Sequence, residues 1–207
     1  MIEINNLTKV YKDHTVLDHV NLSFRKGKIY GIVGRNGSGK TMLLKHMCGL
    51  VYPTDGYVEI DGRKIVCGDD SPSNVGVIIE TPGFLNQYSG YKNLKILSMI
   101  HNQIDKEEIY RVMELVGLNP RDKKSVGKYS LGMRQRLGIA QAIMENPDIL
   151  LLDEPMNGLD DQGVEDMRRL LLEWKKNGKI IVLASHNKED IGILCDEVYR
   201  LNHGKIV

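Results

Sequence analysis

The chain has 207 residues, enough to bury a substantial core as one domain or as one domain with an inserted subdomain. Its 28 lysines and arginines nearly balance its 27 aspartates and glutamates, and the basic clusters at 121–124 and 175–176 are short. This distribution of charge argues against nucleic-acid binding by a basic face.

The N-terminus lacks the basic start and apolar centre of a signal peptide, and no apolar run approaches the roughly 20 residues that span a bilayer. Cys48, Cys67 and Cys195 have neither paired nor metal-binding spacing, which is typical of a reducing cytoplasm. We therefore expect a chain that is soluble by itself, so any role at a membrane would require a membrane-spanning partner.

The N-terminal third has the residue pattern of β-strands. Residues 1–11, 16–24 and 56–65 alternate polar and apolar positions, and turn signals at 26–28 and 53–56 separate them. We predict an antiparallel β layer at the N-terminal side of the fold.

A glycine-rich motif follows the apolar run 29–33 and precedes a segment with helical spacing. It reads G-x-x-x-x-G-K-T, a pattern that lets successive backbone N–H groups face a phosphate at a helix N-terminus. Lys40 would reach the β- and γ-phosphates, and the Thr41 hydroxyl would bind Mg²⁺. The residues that we assign to this predicted nucleotide-phosphate site are Gly34, Arg35, Asn36, Gly37, Ser38, Gly39, Lys40, Thr41 and Met42.

Short helical segments predict an inserted subdomain at 82–130. Asp105 with Glu108 resembles a capping box, and apolar residues follow at helical spacing until Gly117. From residue 131 onward helices and strands alternate, which indicates βαβ units with a buried parallel sheet. The core would then comprise residues 1–81 and 131–207 of a single domain.

The apolar strand at 149–152 ends in two adjacent acids, Asp153 and Glu154. Two carboxylates at the C-terminal tip of a buried strand are suited to holding a metal and activating water. The alternative is a surface turn whose acids are merely solvated.

The motifs and their order along the chain resemble those of the ATP-binding subunit of an ABC transporter, and the resemblance covers essentially the whole chain. The resemblance implies an α/β fold: a P-loop NTPase (RecA-like) core, an N-terminal antiparallel β layer and an inserted α-helical subdomain. It also implies ATP and Mg²⁺ as ligands, and hydrolysis of ATP. Besides the phosphate loop, the matching motifs are the Walker B end Leu152-Asp153-Glu154-Pro155, the signature Ser130-Leu131-Gly132-Met133-Arg134-Gln135-Arg136, the D-loop Asn157-Gly158-Leu159-Asp160 and the switch histidine of Ser185-His186.

The resemblance implies a role for each polar residue near the predicted phosphate site. Asp153 would hold Mg²⁺ opposite Thr41, and Glu154 would accept the proton of the attacking water. His186 would bind the γ-phosphate, although a histidine after a strand is more often structural. Tyr11 would stack on adenine, and its alternative is a strand tyrosine packed on the core.

A second copy of the chain is also implied. In the family, two ATP molecules lie between two protomers, and the signature of one protomer meets the γ-phosphate held by the other. The residues that would serve the partner's ATP are Ser130, Leu131, Gly132 and Met133. Asp160 would lie near the shared interface.

Two positions depart from the family pattern. Leu131 stands where a glycine is usual. One alternative is that its bulk impairs the site where backbone approaches phosphate; we expect instead that only Gly132 needs close approach and that the Leu131 side chain points into the helical subdomain. Glu80 stands where a glutamine normally contacts Mg²⁺ and the attacking water; we assign it as a metal ligand and catalytic residue that adds negative charge beside Asp153 and Glu154. Both departures are similar to the bacterial ABC ATPases of bacitracin and lantibiotic export or self-immunity, which indicates peptides or amphiphiles as substrates.

A membrane-spanning subunit is the second implied partner, and it would place the chain in the cytoplasm, peripheral on the inner face of the cell membrane. The family forms a groove for this subunit just beyond position 80. The candidate groove residues are Phe84, Leu85, Tyr88 and Tyr91, which could equally be the subdomain's own core.

Three other function classes compete with transport. A soluble ATPase acting on nucleic acid or ribosomes would usually carry a second cassette, a coiled-coil insertion or basic arms. A GTPase would need an N-K-x-D element, which residues 187–190 spell directly after the switch-like Ser185-His186. A non-hydrolysing regulatory binder is disfavoured by Glu154. The substrate, the direction of transport and a homomeric or heteromeric dimer stay open.

Overall fold

The computed structural model describes residues 1–68, 74–80 and 83–207. The strands are β1 (Ile2–Tyr11), β2 (His14–Phe24), β3 (Lys28–Val33), β4 (Asp55–Ile60), β5 (Arg63–Lys64), β6 (Val75–Ile78), β7 (Ile149–Asp153), β8 (Ile180–Ala184), β9 (Glu197–Asn202) and β10 (Lys205–Ile206). The helices are α1 (Lys40–Met47), α2 (Gly90–His101), α3 (Lys106–Leu115), α4 (Leu131–Ile143), α5 (Asp161–Lys176) and α6 (Lys188–Leu194), with a 3₁₀ turn at Val126–Lys128.

Two sheets form the centre of the fold. Strands β2-β1-β4-β5 pair antiparallel in a four-stranded sheet, and a six-stranded sheet has the order β10-β9-β3-β8-β7-β6. In the second sheet the pairs among β9, β3, β8, β7 and β6 are parallel. This arrangement confirms the predicted α/β fold with an N-terminal antiparallel layer.

The parallel sheet separates two hydrophobic cores because successive side chains of a strand face opposite sides. On β8, Ile181 and Leu183 pack with the helices, whereas Ile180 and Val182 pack toward the antiparallel layer and α1. All five residues of β8 are buried, as expected for a central parallel strand covered on both faces.

The carboxyl ends of four strands meet at one edge of this sheet. Ile78 pairs with Leu152, Asp153 with Ala184, and Ile32 with Ala184, so the segments that follow β3, β6, β7 and β8 lie next to one another. Ligands of open α/β sheets bind at this edge. The phosphate loop, Glu80, the acidic pair and His186 are all brought there.

The two helices between β6 and α4, α2 and α3, each start at a side-chain cap. The Ser89 side chain accepts a hydrogen bond from the Lys92 N–H, and the Asp105 side chain accepts one from the Glu108 N–H, which confirms the predicted cap of α3. Helix α3 packs on α2 and on α4. The predicted boundary between residues 81 and 82 lies outside the described residues, and the division into core and subdomain stays a prediction.

Segment 56–65 contains a turn that the alternation alone did not reveal. It forms the hairpin of β4 and β5, with Asp61 and Gly62 at φ of 48° and 82°. Two consecutive positive φ angles at Asp-Gly are typical of the tight turn that matches strand twist. None of the helices in the described ranges combines the length and apolar character needed to cross a bilayer.

Candidate nucleotide site

The phosphate loop connects β3 to α1 and is tightly packed on its own backbone. Gly37 and Gly39 have φ of 78° and 107°, a region that glycine occupies without strain. The buried Lys40 ammonium donates hydrogen bonds to the carbonyl oxygens of Gly34 (2.8 Å) and Arg35 (3.3 Å). Lys40 therefore braces the loop and keeps a positive charge at its centre.

One loop side chain has unused hydrogen-bonding capacity. The Ser38 hydroxyl is buried and has no hydrogen-bond partner among the described residues. A buried polar atom left in this state is costly unless a ligand satisfies it, and the loop geometry suits a phosphate oxygen. Arg35 and Asn36 are exposed at the loop tip, whereas Met42 packs against the core on the side of the antiparallel layer.

The residues present fit a magnesium ion. Thr41 Oγ1 donates a hydrogen bond of 2.6 Å to Asp153 Oδ2, although the two residues lie 112 positions apart. Two oxygen ligands at about 2.1 Å from Mg²⁺ and at right angles lie roughly 3 Å apart, close to this spacing. Across residues 1–68, 74–80 and 83–207, no cluster of three or more His, Cys, Asp or Glu side chains is arranged to hold a metal.

The Asp153 carboxyl group lies in a partly buried and crowded environment. Burial raises its pKa above the usual range, and the charges of Glu154 and Glu80 act in the same direction. The hydrogen bond from Thr41 and the nearby Lys40 charge lower the pKa and partly oppose this shift. A divalent cation at this position would relieve the excess of negative charge.

Glu154 is held by the segment that follows β8. Its Oε1 accepts hydrogen bonds from His186 Nδ1 (2.7 Å) and the His186 backbone N–H (3.1 Å), and Ser185 Oγ donates to Oε2 at 3.3 Å. Glu154 itself has φ of 48°, an uncommon value for a non-glycine residue. The strained backbone and the three hydrogen bonds together fix the direction of the carboxylate.

Glu80 lies at the same sheet edge, and its carboxylate forms an ion pair with Lys45. Its Oε1 is 2.6 Å from Lys45 Nζ on α1, and its φ is 58°. Lys45 was not singled out from the sequence, and its only signal there was its place one helical turn after Thr41.

The start of α4 packs against the D-loop. Ser130 is the N-cap, and its hydroxyl accepts a hydrogen bond from the Met133 N–H at 3.2 Å. A Cβ added to Gly132 would lie 2.7 Å from the Gly158 carbonyl oxygen, so this position requires glycine. The Ser130 hydroxyl is exposed at this helix start, where the N–H groups of a first turn favour an anion.

The expectation for Leu131 was wrong. Its side chain is 67% exposed and lies against Gly158 instead of pointing into the helical subdomain. The reason is helical geometry: Leu131 is the first residue of α4, on the outer side of the first turn, while Met133 two residues later faces the core. Leu131 therefore borders the same surface as Ser130.

Three signature side chains that were given no separate roles connect α4 to surrounding loops. Arg134 donates to Asn86 Oδ1 (3.2 Å), and Gln135 donates to the Pro155 carbonyl (2.9 Å). Arg136 donates to the Val116 carbonyl (2.9 Å) and to Asp160 Oδ1 (3.1 Å). Asp160 also caps α5 through the Gly163 N–H, and this bond and Arg136 lower its pKa. Its predicted interface role stays a prediction.

Tyr11 lies at the exposed tip of the β1–β2 hairpin. Its ring is not in the core, and Lys9 Nζ lies 4.6 Å from the ring centroid. The hairpin lies close to the phosphate loop: a Cβ added to Gly39 would be 2.8 Å from the Val16 carbonyl oxygen. This position is compatible with the adenine contact and argues against core packing.

The candidate groove residues after Glu80 have divided roles. Phe84 and Tyr91 are partly buried against the core, and Tyr91 packs edge-on against Tyr110. Leu85 is exposed, and Tyr88 carries Lys92 over its ring at 3.7 Å. Phe84 and Tyr91 thus contribute to the subdomain's own core, and a groove role for Leu85 and Tyr88 stays a prediction.

The N-K-x-D element has a structural role. The Asn187 side chain caps α6 by accepting from the Glu189 and Asp190 N–H groups. Asp190 is 1% exposed and bound by Arg168 of α5. A carboxylate buried in this way is not available to a guanine base.

The parallel sheet, the phosphate loop at its carboxyl edge and the acidic strand beside it define a P-loop nucleotide-binding protein. The chain belongs to the ABC transporter family, whose pattern matches residues 17–157. This result confirms the family that the sequence motifs indicated, and the protein is an ABC transporter ATP-binding subunit.

Relatives match the chain over its full length. It is 49% identical to the uncharacterized ABC transporter ATP-binding protein YybJ of Bacillus subtilis, covering 100% of this chain and 94% of that protein. Identity is 44% to the bacitracin transport ATP-binding protein BcrA of Enterococcus faecalis (100% and 68%) and 37% to the lantibiotic transport ATP-binding protein SrtF of Streptococcus pyogenes (100% and 89%).

Solved structures agree with this assignment. A dimeric structure of a bacterial ABC transporter cassette superposes with a TM-score of 0.91 at 25% identity, covering 100% of this chain and 96% of that chain. The chain thus has the fold of an ATP-binding cassette, and the transport ATPase is supported over the soluble ATPase and GTPase alternatives.

Proposed function

We propose that this ATP-binding subunit hydrolyses ATP with Mg²⁺, acts as a dimer at the inner face of the cell membrane, and powers export of peptides or amphiphilic compounds. The single observation that carries the hydrolytic part is the contact of four groups at one sheet edge: Thr41 with Asp153, and Glu154 with His186. Each pair joins residues far apart in the chain, as expected for a site assembled by the fold.

The proposed reaction is attack of water on the γ-phosphorus of ATP, with ADP as the leaving group. Lys40 places its charge among the phosphates, and the loop N–H groups hold the phosphate oxygens. The Glu154 carboxylate accepts one proton from the attacking water, and His186 donates a hydrogen bond to the γ-phosphate. Thr41 and Asp153 would hold Mg²⁺, which would supply positive charge for the phosphates.

Dimer formation would complete each site. The exposed Ser130 hydroxyl and the first-turn N–H groups of α4 point to a γ-phosphate bound by a second protomer. Gly132 and Leu131 border this surface. Arg136 of the same helix forms an ion pair with Asp160. The hydrogen bonds of α4 thereby link the surface for the partner's ATP to Pro155, which directly follows the proposed general base Glu154.

A membrane-spanning subunit is proposed as the second partner, docked near Leu85. Its contact is supported by the exposure of Leu85 and by the bond between Arg134 and Asn86, which joins this loop to the signature helix. Motion at the loop would thus reach the surface that binds the partner's ATP.

The requirement for ATP and Mg²⁺ is tested on the purified chain. The chain is expected to hydrolyse ATP with Mg²⁺ and to stop when EDTA removes the metal. It is expected to show no preference for GTP, because Asp190 is buried. Lys40→Met is expected to weaken ATP binding about ten- to a hundredfold, the cost of a charge-assisted hydrogen bond. Hydrolysis that persists in EDTA, or that favours GTP, would contradict the proposal.

The substrate class is tested in the host cell. Loss of the chain is expected to increase sensitivity to bacitracin-type or lantibiotic peptides, and wild-type protein is expected to restore resistance, whereas Lys40→Met is not. This expectation is supported by the relatives named for bacitracin and lantibiotic transport and by Glu80 and Leu131. Unchanged sensitivity across a panel of such peptides would rule out this substrate class and leave the ATPase proposal standing.

A further inference from the structure

Lys45 lies on α1 one helical turn beyond Thr41, so the two side chains share a face of the helix. Thr41 donates to Asp153 at the end of β7, and Lys45 Nζ contacts Glu80 Oε1 at 2.6 Å just after β6. Helix α1 thus holds one acid from each of two neighbouring strands.

In this ion pair the cation is more buried than the acid. The Lys45 side chain is only 26% exposed, whereas the Glu80 side chain is 65% exposed. A φ of 58° at Glu80 is a strained backbone value that a non-glycine residue adopts only when its surroundings enforce it. The lysine therefore acts as the fixed anchor, and the glutamate is the group whose direction it determines.

Charge explains why such an anchor is needed. Glu80, Asp153 and Glu154 bring three carboxylates to one edge of the sheet, and the charges of Glu80 and Glu154 both raise the pKa of Asp153. The nucleotide adds further negative charge. Lys40 is directed into the phosphate loop and His186 is bonded to Glu154, so Lys45 is the cation that offsets Glu80 within the part of the chain described.

We propose that Lys45 is a positioning residue that keeps the Glu80 carboxylate on α1, away from the Thr41–Asp153 pair, and thereby sets the affinity of the nucleotide site for its divalent cation. This inference rests on the proposed function, because it concerns the same metal position. Release of Glu80 from Lys45 provides the site with an additional oxygen ligand.

The test is a double-mutant cycle on Lys45 and Glu80, read by Mn²⁺ binding in electron paramagnetic resonance with a non-hydrolysable ATP analogue. Lys45→Met is expected to tighten Mn²⁺ binding about fivefold, the upper range for a partly exposed ion pair. In a Glu80→Gln background the same Lys45 change is expected to have no effect. Lys45→Arg, which keeps the cation, is the matched control and is expected to behave as wild type.

The outcomes separate this inference from the proposed function. If Lys45→Met shifts the Mn²⁺ affinity equally in both backgrounds, or in neither, Lys45 does not position Glu80. The proposed function would still stand in that case, provided that the wild-type chain binds Mn²⁺ with the nucleotide analogue. Failure of the wild-type chain to bind the analogue with Mn²⁺ would instead contradict the proposed function. Thermal unfolding of each variant distinguishes loss of folding from loss of positioning.

Discussion

Glu154→Gln is expected to lower ATP hydrolysis about 10²- to 10⁴-fold, the contribution of a general base. Glutamine keeps an oxygen that can accept both hydrogen bonds from His186, and its amide can donate to the Ser185 hydroxyl. The shape of the site is thus retained while the proton acceptor is lost. ATP should remain bound, and the ATP-bound dimer should accumulate.

The measurement is molar mass in solution by light scattering, with and without saturating Mg-ATP, beside the rate of phosphate release. Lys40→Met combined with Glu154→Gln is the control: at an ATP concentration that just saturates Glu154→Gln, its weaker ATP binding should leave the chain monomeric. A Glu154→Gln variant that stays monomeric in saturating Mg-ATP would argue against the two-protomer site.

Arg168→Met is expected to lower the free energy of unfolding by about 3–5 kcal/mol, the cost of leaving one partner of a buried ion pair uncompensated. Arg168 on α5 donates from Nε (2.9 Å) and Nη2 (2.6 Å) to Asp190 Oδ1, and Asp190 is 1% exposed. The hydrogen bonds that Arg168 donates to Asp190 raise the pKa of Arg168 further, so the guanidinium stays charged. Its other bonds, to Glu165 and Glu189, are more exposed and contribute little.

Urea unfolding followed by circular dichroism provides the measurement. Arg169→Met is the matched control: it lies next in the chain, is 73% exposed and pairs with Asp166, so its effect should stay within about 0.5 kcal/mol. The combination of Arg168→Met with Asp190→Leu should recover much of the loss, because no charge is then buried alone. Equal midpoints for Arg168→Met and wild type would show that the pair does not hold α6 on α5.

Local signals predicted the elements that carry the chemistry. The apolar run at 180–184 corresponds to β8, and the capping pattern at Asp105 corresponds to the start of α3. Burial on both faces makes a central parallel strand continuously apolar, so its limits are visible in the residues themselves. The hairpin turn at Asp61-Gly62 was not identified, because the alternation of apolar residues continues through it.

Motifs far apart in the sequence could be assigned to one site only through the family resemblance. Register in the sheet then explained the assignment, since β8 lies between β3 and β7 and brings Asp153 beside Ala184. Side-chain directions were less predictable. Leu131 was expected to point into the subdomain, but its direction depends on where α4 begins relative to Gly158.

The sequence by itself determined the family, the phosphate loop and the acid pair, because a phosphate is bound by consecutive backbone N–H groups and a metal by acids at one strand end. Only the tertiary structure decided that Lys45 holds Glu80, that Arg168 holds Asp190 and that Leu131 faces outward. These contacts join separate elements across the fold. Their energies depend on burial and distance, which no local pattern of residues records.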